Sequence, residues 1–130
     1  MANFAQETID TGSLELEGGQ FRDDVIAFTG AATLLRGTLL ARDSVSLKLV
    51  PFVKGGSTNE NGIPKAVLTY EVSAAGAGDV PVRPLVKGVV NRNRLVIDAD
   101  GDDSNIDAAV VDQLADYQIT AIDVEQLGVI

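Results

Sequence analysis

Residues 62–90 constrain the fold more than any other stretch of this chain. The first run is Gly62, Ile63, Pro64, Lys65, Ala66, Val67, Leu68, Thr69, Tyr70, Glu71, Val72. Ala66, Leu68, Tyr70 and Val72 fall on one side, and Lys65, Thr69 and Glu71 on the other. A period of two marks a strand, because successive side chains leave opposite faces. The link of Ser73, Ala74, Ala75, Gly76, Ala77 and Gly78 is small and turns freely. The second run, from Asp79 to Val90, is rich in Val and predicts another strand. Its Pro81 and Pro84 lack the N–H that a ladder needs, so an edge position or an irregular start is expected. Together the runs predict a hairpin-like unit on which the other segments pack.

Composition narrows the function. At 130 residues the chain reads as one domain. Apolar residues make up 45%, enough for a core, but aromatics are only four Phe and two Tyr. Val, Leu, Ile and Ala must therefore supply the core. The absence of Cys removes disulfides and thiol chemistry, and the absence of His removes the commonest general base and transition-metal ligand. A net charge of −9 disfavours nonspecific binding to nucleic acid or to an anionic membrane. No apolar run approaches the ~20 residues of a membrane helix. No basic start precedes an apolar core at the N-terminus, so no secretion signal is read.

Residues 1–24 are polar and acidic, and residues 1–20 hold Glu7, Asp10, Glu15 and Glu17 without Lys or Arg. This part reads as an N-terminal arm, with residues 25–130 as the β domain. Thr8, Ile9, Asp10 and Thr11 suit a short extended piece, as do Leu14, Glu15 and Leu16, with Gly18 and Gly19 interrupting any continuation. Residues 38–41 predict a short strand after the turn-friendly Gly37. Ser44, Val45, Ser46, Leu47, Lys48 and Leu49 alternate, with Val45, Leu47 and Leu49 inward. Residues 55–62 are a loop by every local criterion. Beyond a polar turn at residues 91–94, Leu95, Val96 and Ile97 predict a strand. Ile106, Val110, Leu114 and Tyr117 recur at helical spacing, with Ser104 as the expected N-cap and Asp107 completing a capping-box-like start. Ile119, Thr120, Ala121 and Ile122 predict a last strand before a tail of Leu127, Gly128, Val129 and Ile130. The fold class is mainly β (α+β), with one or two short helices.

The acidic loop is the one apparent chemical site. Asp98, Asp100, Asp102, Asp103 and Asp107 lie within ten residues, and hard cations want such oxygens. Yet Gly101 stands at position 4 rather than 6 of an EF-hand count, and position 12 is Ala109 rather than Glu. A solvated loop leading into a helix is the plainer reading, so no metal or cofactor is expected. Paired carboxylates can serve glycoside hydrolysis, but such sites come with aromatic platforms and a deep pocket. Arg36, Arg42 and Lys48 are scattered, Arg92 and Arg94 belong to a turn, and no phosphate-binding glycine loop is present. Neither an enzyme nor a nucleic-acid-binding protein is predicted.

The central segment also resembles a known family. Pro64, Lys65, Ala66, Val67 and Leu68, then Gly78, Asp79, Val80, Pro81 and Val82, then Val86, Lys87, Gly88, Val89 and Val90 have the cadence of the lambda-type head decoration proteins of tailed phages. Gly37, Thr38, Leu39 and Leu40 upstream and Leu95 downstream also sit where that family places them. The likeness covers roughly residues 31–130 and carries no catalytic signature. It departs from the lambda prototype in a longer N-terminal region and in the extended acidic loop. The resemblance implies a structural virion protein, assembled in the host cytoplasm, that binds the outer surface of the expanded head. Its partners would be the major capsid protein and itself, as trimers at three-fold sites. Its task would be to stabilise the shell against packaged-DNA pressure. The arm residues Thr8, Ile9, Asp10, Thr11, Leu14 and Leu16 would reach neighbouring shell subunits. The alternative is a carbohydrate- or cell-surface-binding β module on a virion, which would show an exposed aromatic platform or a calcium site.

Overall fold

The computed structural model describes residues 13–124. Ten strands, one α-helix and one 3-10 turn follow in order. The strands are β1 (Glu15–Phe21), β2 (Asp24–Phe28), β3 (Ala32–Leu34), β4 (Leu39–Arg42), β5 (Leu49–Pro51), β6 (Pro64–Val67), β7 (Val72–Ala74), β8 (Gly78–Val82), β9 (Leu85–Asn91) and β10 (Ile119–Ile122). The 3-10 turn spans Arg92–Arg94 and helix α1 spans Ala108–Ala115. The main sheet runs β1-β9-β6-β4-β5-β2-β8, β10 adds to β9 in parallel, and β3 and β7 form a separate ribbon. The chain is a small, mainly β domain, as its sequence predicts.

The sheet is covered on both faces. On β4, Leu39 and Ala41 enter one core while Leu40 enters the other, as the strand period requires. The first core gathers Val67, Leu85 and Val90 with Val110 and Leu114 of α1. The second gathers Ile26, Ala66 and Leu68 with Leu34 of β3 and Val72 of β7. A helix thus seals one face and the β3–β7 ribbon the other.

Several expectations change here. The alternating run of residues 65–72 is not one strand: β6 ends at Val67 and β7 begins at Val72. Tyr70 turns outward, and its hydroxyl accepts a hydrogen bond from the Arg83 N–H at 3.0 Å. The two runs do not close a hairpin on each other. β7 pairs with β3, β8 with β2, and β6 meets β9 only through Val67 opposite Leu85. Pro81 does lie on an edge strand, β8. The 38–41 strand appears as β4, one residue later. The N-cap of α1 is Asp107 rather than Ser104, its carboxylate accepting from the Val110 N–H at 3.1 Å, and Tyr117 lies beyond the helix end. Leu95, Val96 and Ile97 make only isolated bridges, Val96 with Thr38 and Ile97 with Asp102.

The predicted strand through Ser44, Val45 and Leu47 is a turn. The Asp43 carboxylate accepts from the Val45 and Ser46 N–H groups at 2.8 and 2.9 Å, and the Leu47 N–H donates to the Asp43 carbonyl at 2.9 Å. A local acceptor of this kind competes with the ladder for backbone donors. Leu49 is buried as expected, whereas Val45 and Leu47 are 75% and 66% exposed.

Candidate interaction surface

The N-terminal strand belongs to the body. Leu14 is wholly buried in the first core, and its carbonyl accepts from the Asn91 N–H at 2.7 Å. The glycine pair does not stop β1, which continues to Phe21 with three register shifts against β9. Gly18 adopts the left-handed conformation at φ 61, and a Cβ on Gly88 would stand 3.0 Å from the Gly19 Cα. The glycines therefore allow two backbones to approach closely while the strand bulges. Of the candidate arm residues, Leu14 is a core residue and Leu16 is half-buried on β1. Thr8, Ile9, Asp10 and Thr11 lie outside the described residues.

Two of the main sheet's terminal strands, β1 and β8, are blunted. The β1 edge is broken by bulges, and β8 carries Pro81. Such edges discourage strand addition from another chain. The body also exposes side-chain patches. The turn bearing Val45 and Leu47 projects two aliphatic groups, and Arg42 steadies it by donating to the Leu47 carbonyl at 3.0 Å. Beside it runs a mainly apolar groove of about 520 Å³, lined by Phe28, Ala31, Val50, Val53 and the carboxylates Asp43 and Asp98. The inward orientation expected for Val45 and Leu47 hid this surface. Asp43 just ahead of Ser44 was the available signal, because Asp at such a position favours a turn.

The acidic loop is tied to separate partners. Asp100 accepts from the Asn105 side chain at 2.9 Å, and Asp103 faces Arg92 at 3.4 Å. Asp102 accepts from the Ser104 N–H, and Ser104 contacts lower its pKa. The Lys54 ammonium, then the Val110 N–H, hold the Asp107 carboxyl below its ordinary value. Among the described residues, no group of three acidic side chains converges as a metal site.

A second cleft, of about 450 Å³, collects cations from four separated positions: Arg22, Arg42, Lys65 and Lys87, with Asp116 and Tyr117 at the rim. The Lys65 ammonium lies 4.3 Å from the centre of the Tyr117 ring. In the linear sequence these charges look dispersed, because strand pairing alone brings them together.

The family model of the bacteriophage lambda head decoration protein D matches residues 13–119. The chain belongs to that family. No curated protein shows a significant match to it. The matched span begins beside buried Leu14 and takes in both cores, α1 and the start of β10. This decoration protein is a structural component of the virion, associated with the phage head capsid.

Proposed function

We propose that the protein binds the outer surface of the expanded phage head as trimers at three-fold sites and stabilises the shell against packaged-DNA pressure. Assembly would take place in the host cytoplasm, with the major capsid protein as partner. The family match over residues 13–119 carries this reading. The body supports it: both sheet faces are covered, the terminal strands β1 and β8 are blunted, and side-chain patches are exposed. The site is an interface and no residue performs catalysis.

Stabilisation follows from linkage. A ligand that binds only the expanded shell draws the equilibrium toward that state. The arm, with Thr8, Ile9, Asp10 and Thr11 before β1 and Leu16 on it, supplies contacts to neighbouring shell subunits. With three protomers held together, each arm engages at high effective concentration, so modest single-arm affinity becomes firm attachment.

Electron microscopy of the protein mixed with its own expanded heads tests this. The expected image has three-lobed density on the outer face at three-fold positions. Bare heads at saturating protein would overturn the function. Deleting residues 2–12 is expected to weaken head binding at least tenfold. Equal binding by the truncated and full-length proteins would remove the arm from the mechanism.

A further inference from the structure

Charge is segregated along this chain. All ten Lys and Arg precede residue 95 and are matched there by ten acids, whereas nine acids and no base follow. The fold gathers a cationic cleft, with Asp116 also lining it, and an acidic loop. Asp102 and Asp103 of that loop have Arg36, Arg92 and Arg94 beside them, which leaves Asp98 and Asp100 as its exposed acids outside that cluster. The cationic cleft sits at the start of β9, where Val86 and Lys87 line it. Among the described residues Lys87 makes no ion pair, and Arg22 is only loosely placed, 3.9 Å from Asp24. The acidic loop lies past the other end of β9, beyond the 3-10 turn. Between Lys87 and the loop the chain runs through the rest of β9, the 3-10 turn and the bridged residues Val96 and Ile97.

The loop is held firmly. The Ile97 carbonyl accepts from the Asp100 and Gly101 N–H groups at 2.9 Å, and the Ile97 N–H donates to the Asp102 carbonyl at 3.1 Å. Asp98 and Asp100 are exposed at its tip, and Asp98 has no ion pair among the described residues. Among the described residues none of the loop's acids pairs with a cation of the same chain's cleft.

We infer that the cleft of Arg22, Lys65 and Lys87 receives the acidic loop, Asp98 and Asp100, of a neighbouring copy. Two copies at −9 each repel overall, so a contact between them needs local complementarity. The contact joins two different patches and is heterologous, so it closes only as a ring. Ring closure at three rests on the trimer reading above. A polyanion such as nucleic acid fits less well, because the acidic remainder of the surface repels it.

The chain lacks Cys, so a Lys87→Cys, Asp98→Cys variant reports the contact without background. A short bis-maleimide spans the Lys–Asp side-chain reach that a direct disulfide cannot, and on decorated heads it is expected to yield covalent species that culminate in three linked chains. Monomers only, on heads where images show trimers, would overturn the contact and leave the trimer reading intact. Monomers with no trimers in the images would overturn both. A charge-swap series tests the same contact independently. Lys65→Glu with Lys87→Glu is expected to weaken head binding about tenfold, and adding Asp98→Lys and Asp100→Lys to that chain is expected to restore it. Unchanged binding in the first variant, or no restoration in the second, would overturn the proposal. So would short DNA that binds the wild type and is lost with the cleft lysines.

Discussion

Arg42 and Asp24 meet in a two-pronged ion pair that spans a strand. Arg42 Nη1 and Nη2 donate to Asp24 Oδ1 and Oδ2 at 2.9 and 2.6 Å, which ties β4 to β2 across the intervening β5. Both side chains are largely shielded, and Arg42 also holds the Leu47 carbonyl. One guanidinium therefore links the second core to the exposed turn. Removing it by Arg42→Met leaves the Asp24 carboxylate without its main partner. The expected loss is about 1–3 kcal/mol, measured by denaturant unfolding.

The same pair gives a pH dependence. Burial pushes the Asp24 carboxyl up, but Arg42, the Val25 N–H and Arg22 outweigh it and hold the group below its ordinary value. The unfolded chain then takes up the proton first as pH falls. The stabilisation is complete above the ordinary carboxylate range and is lost as pH drops through the folded value. Asp24→Asn should therefore be less stable than wild type near neutrality and lose less stability between about pH 5 and pH 2. Melting curves across that range check it, and parallel curves for the two proteins would count against it. The lowered Asp43, Asp102 and Asp107 carboxyls keep some acid sensitivity in the variant.

Gly37 is expected to tolerate no side chain. Its φ is 94, and a Cβ would overlap the Arg94 carbonyl oxygen. Its N–H donates to the Leu68 carbonyl at 2.7 Å and its carbonyl accepts from the Val96 N–H at 2.9 Å, so the backbone has no room to move aside. Gly37→Ala should cost about 1–3 kcal/mol from the left-handed backbone alone, with the overlap adding to it. A thermal midpoint equal to wild type would mean that the turn is laid out differently.

Leu14 offers a direct test of where the domain begins. Leu14→Ala is expected to destabilise by about 2–5 kcal/mol, as truncation of a fully buried Leu does. Deleting residues 2–20 would remove Leu14 together with most of β1 and should lower the melting midpoint sharply. Leu68→Asp, in the second core, should be at least as damaging, because a buried carboxylate without a partner costs several kcal/mol. Calorimetry on the three variants compares these effects.

Leu47 is strained where it stands. It is a non-glycine residue at φ 65 in an exposed turn. Leu47→Asn suits that backbone and should raise stability by about 0.5–1 kcal/mol. Weaker binding of this variant to heads, despite higher stability, would mark the turn as a contact retained at a cost in strain.

The sequence by itself determined the local elements. A period-two run located β6, short apolar runs located β4 after Gly37 and β10, Pro81 marked an edge strand, and the spacing of Ile106, Val110 and Leu114 marked the helix. Each signal is local, arising from backbone geometry or a missing N–H, and needs no knowledge of the partner. The tertiary structure decided what pairs with what. A period of two says which residues share a face, but not whether the opposite face is wet, and here α1 and the β3–β7 ribbon bury both. That is why Val67 is as deeply buried as Ala66 and Leu68, and why Leu14 joins the core from a stretch that reads as an arm. The cationic cleft was invisible for the same reason. Arg22, Arg42, Lys65 and Lys87 become neighbours only when strands far apart in the chain come together.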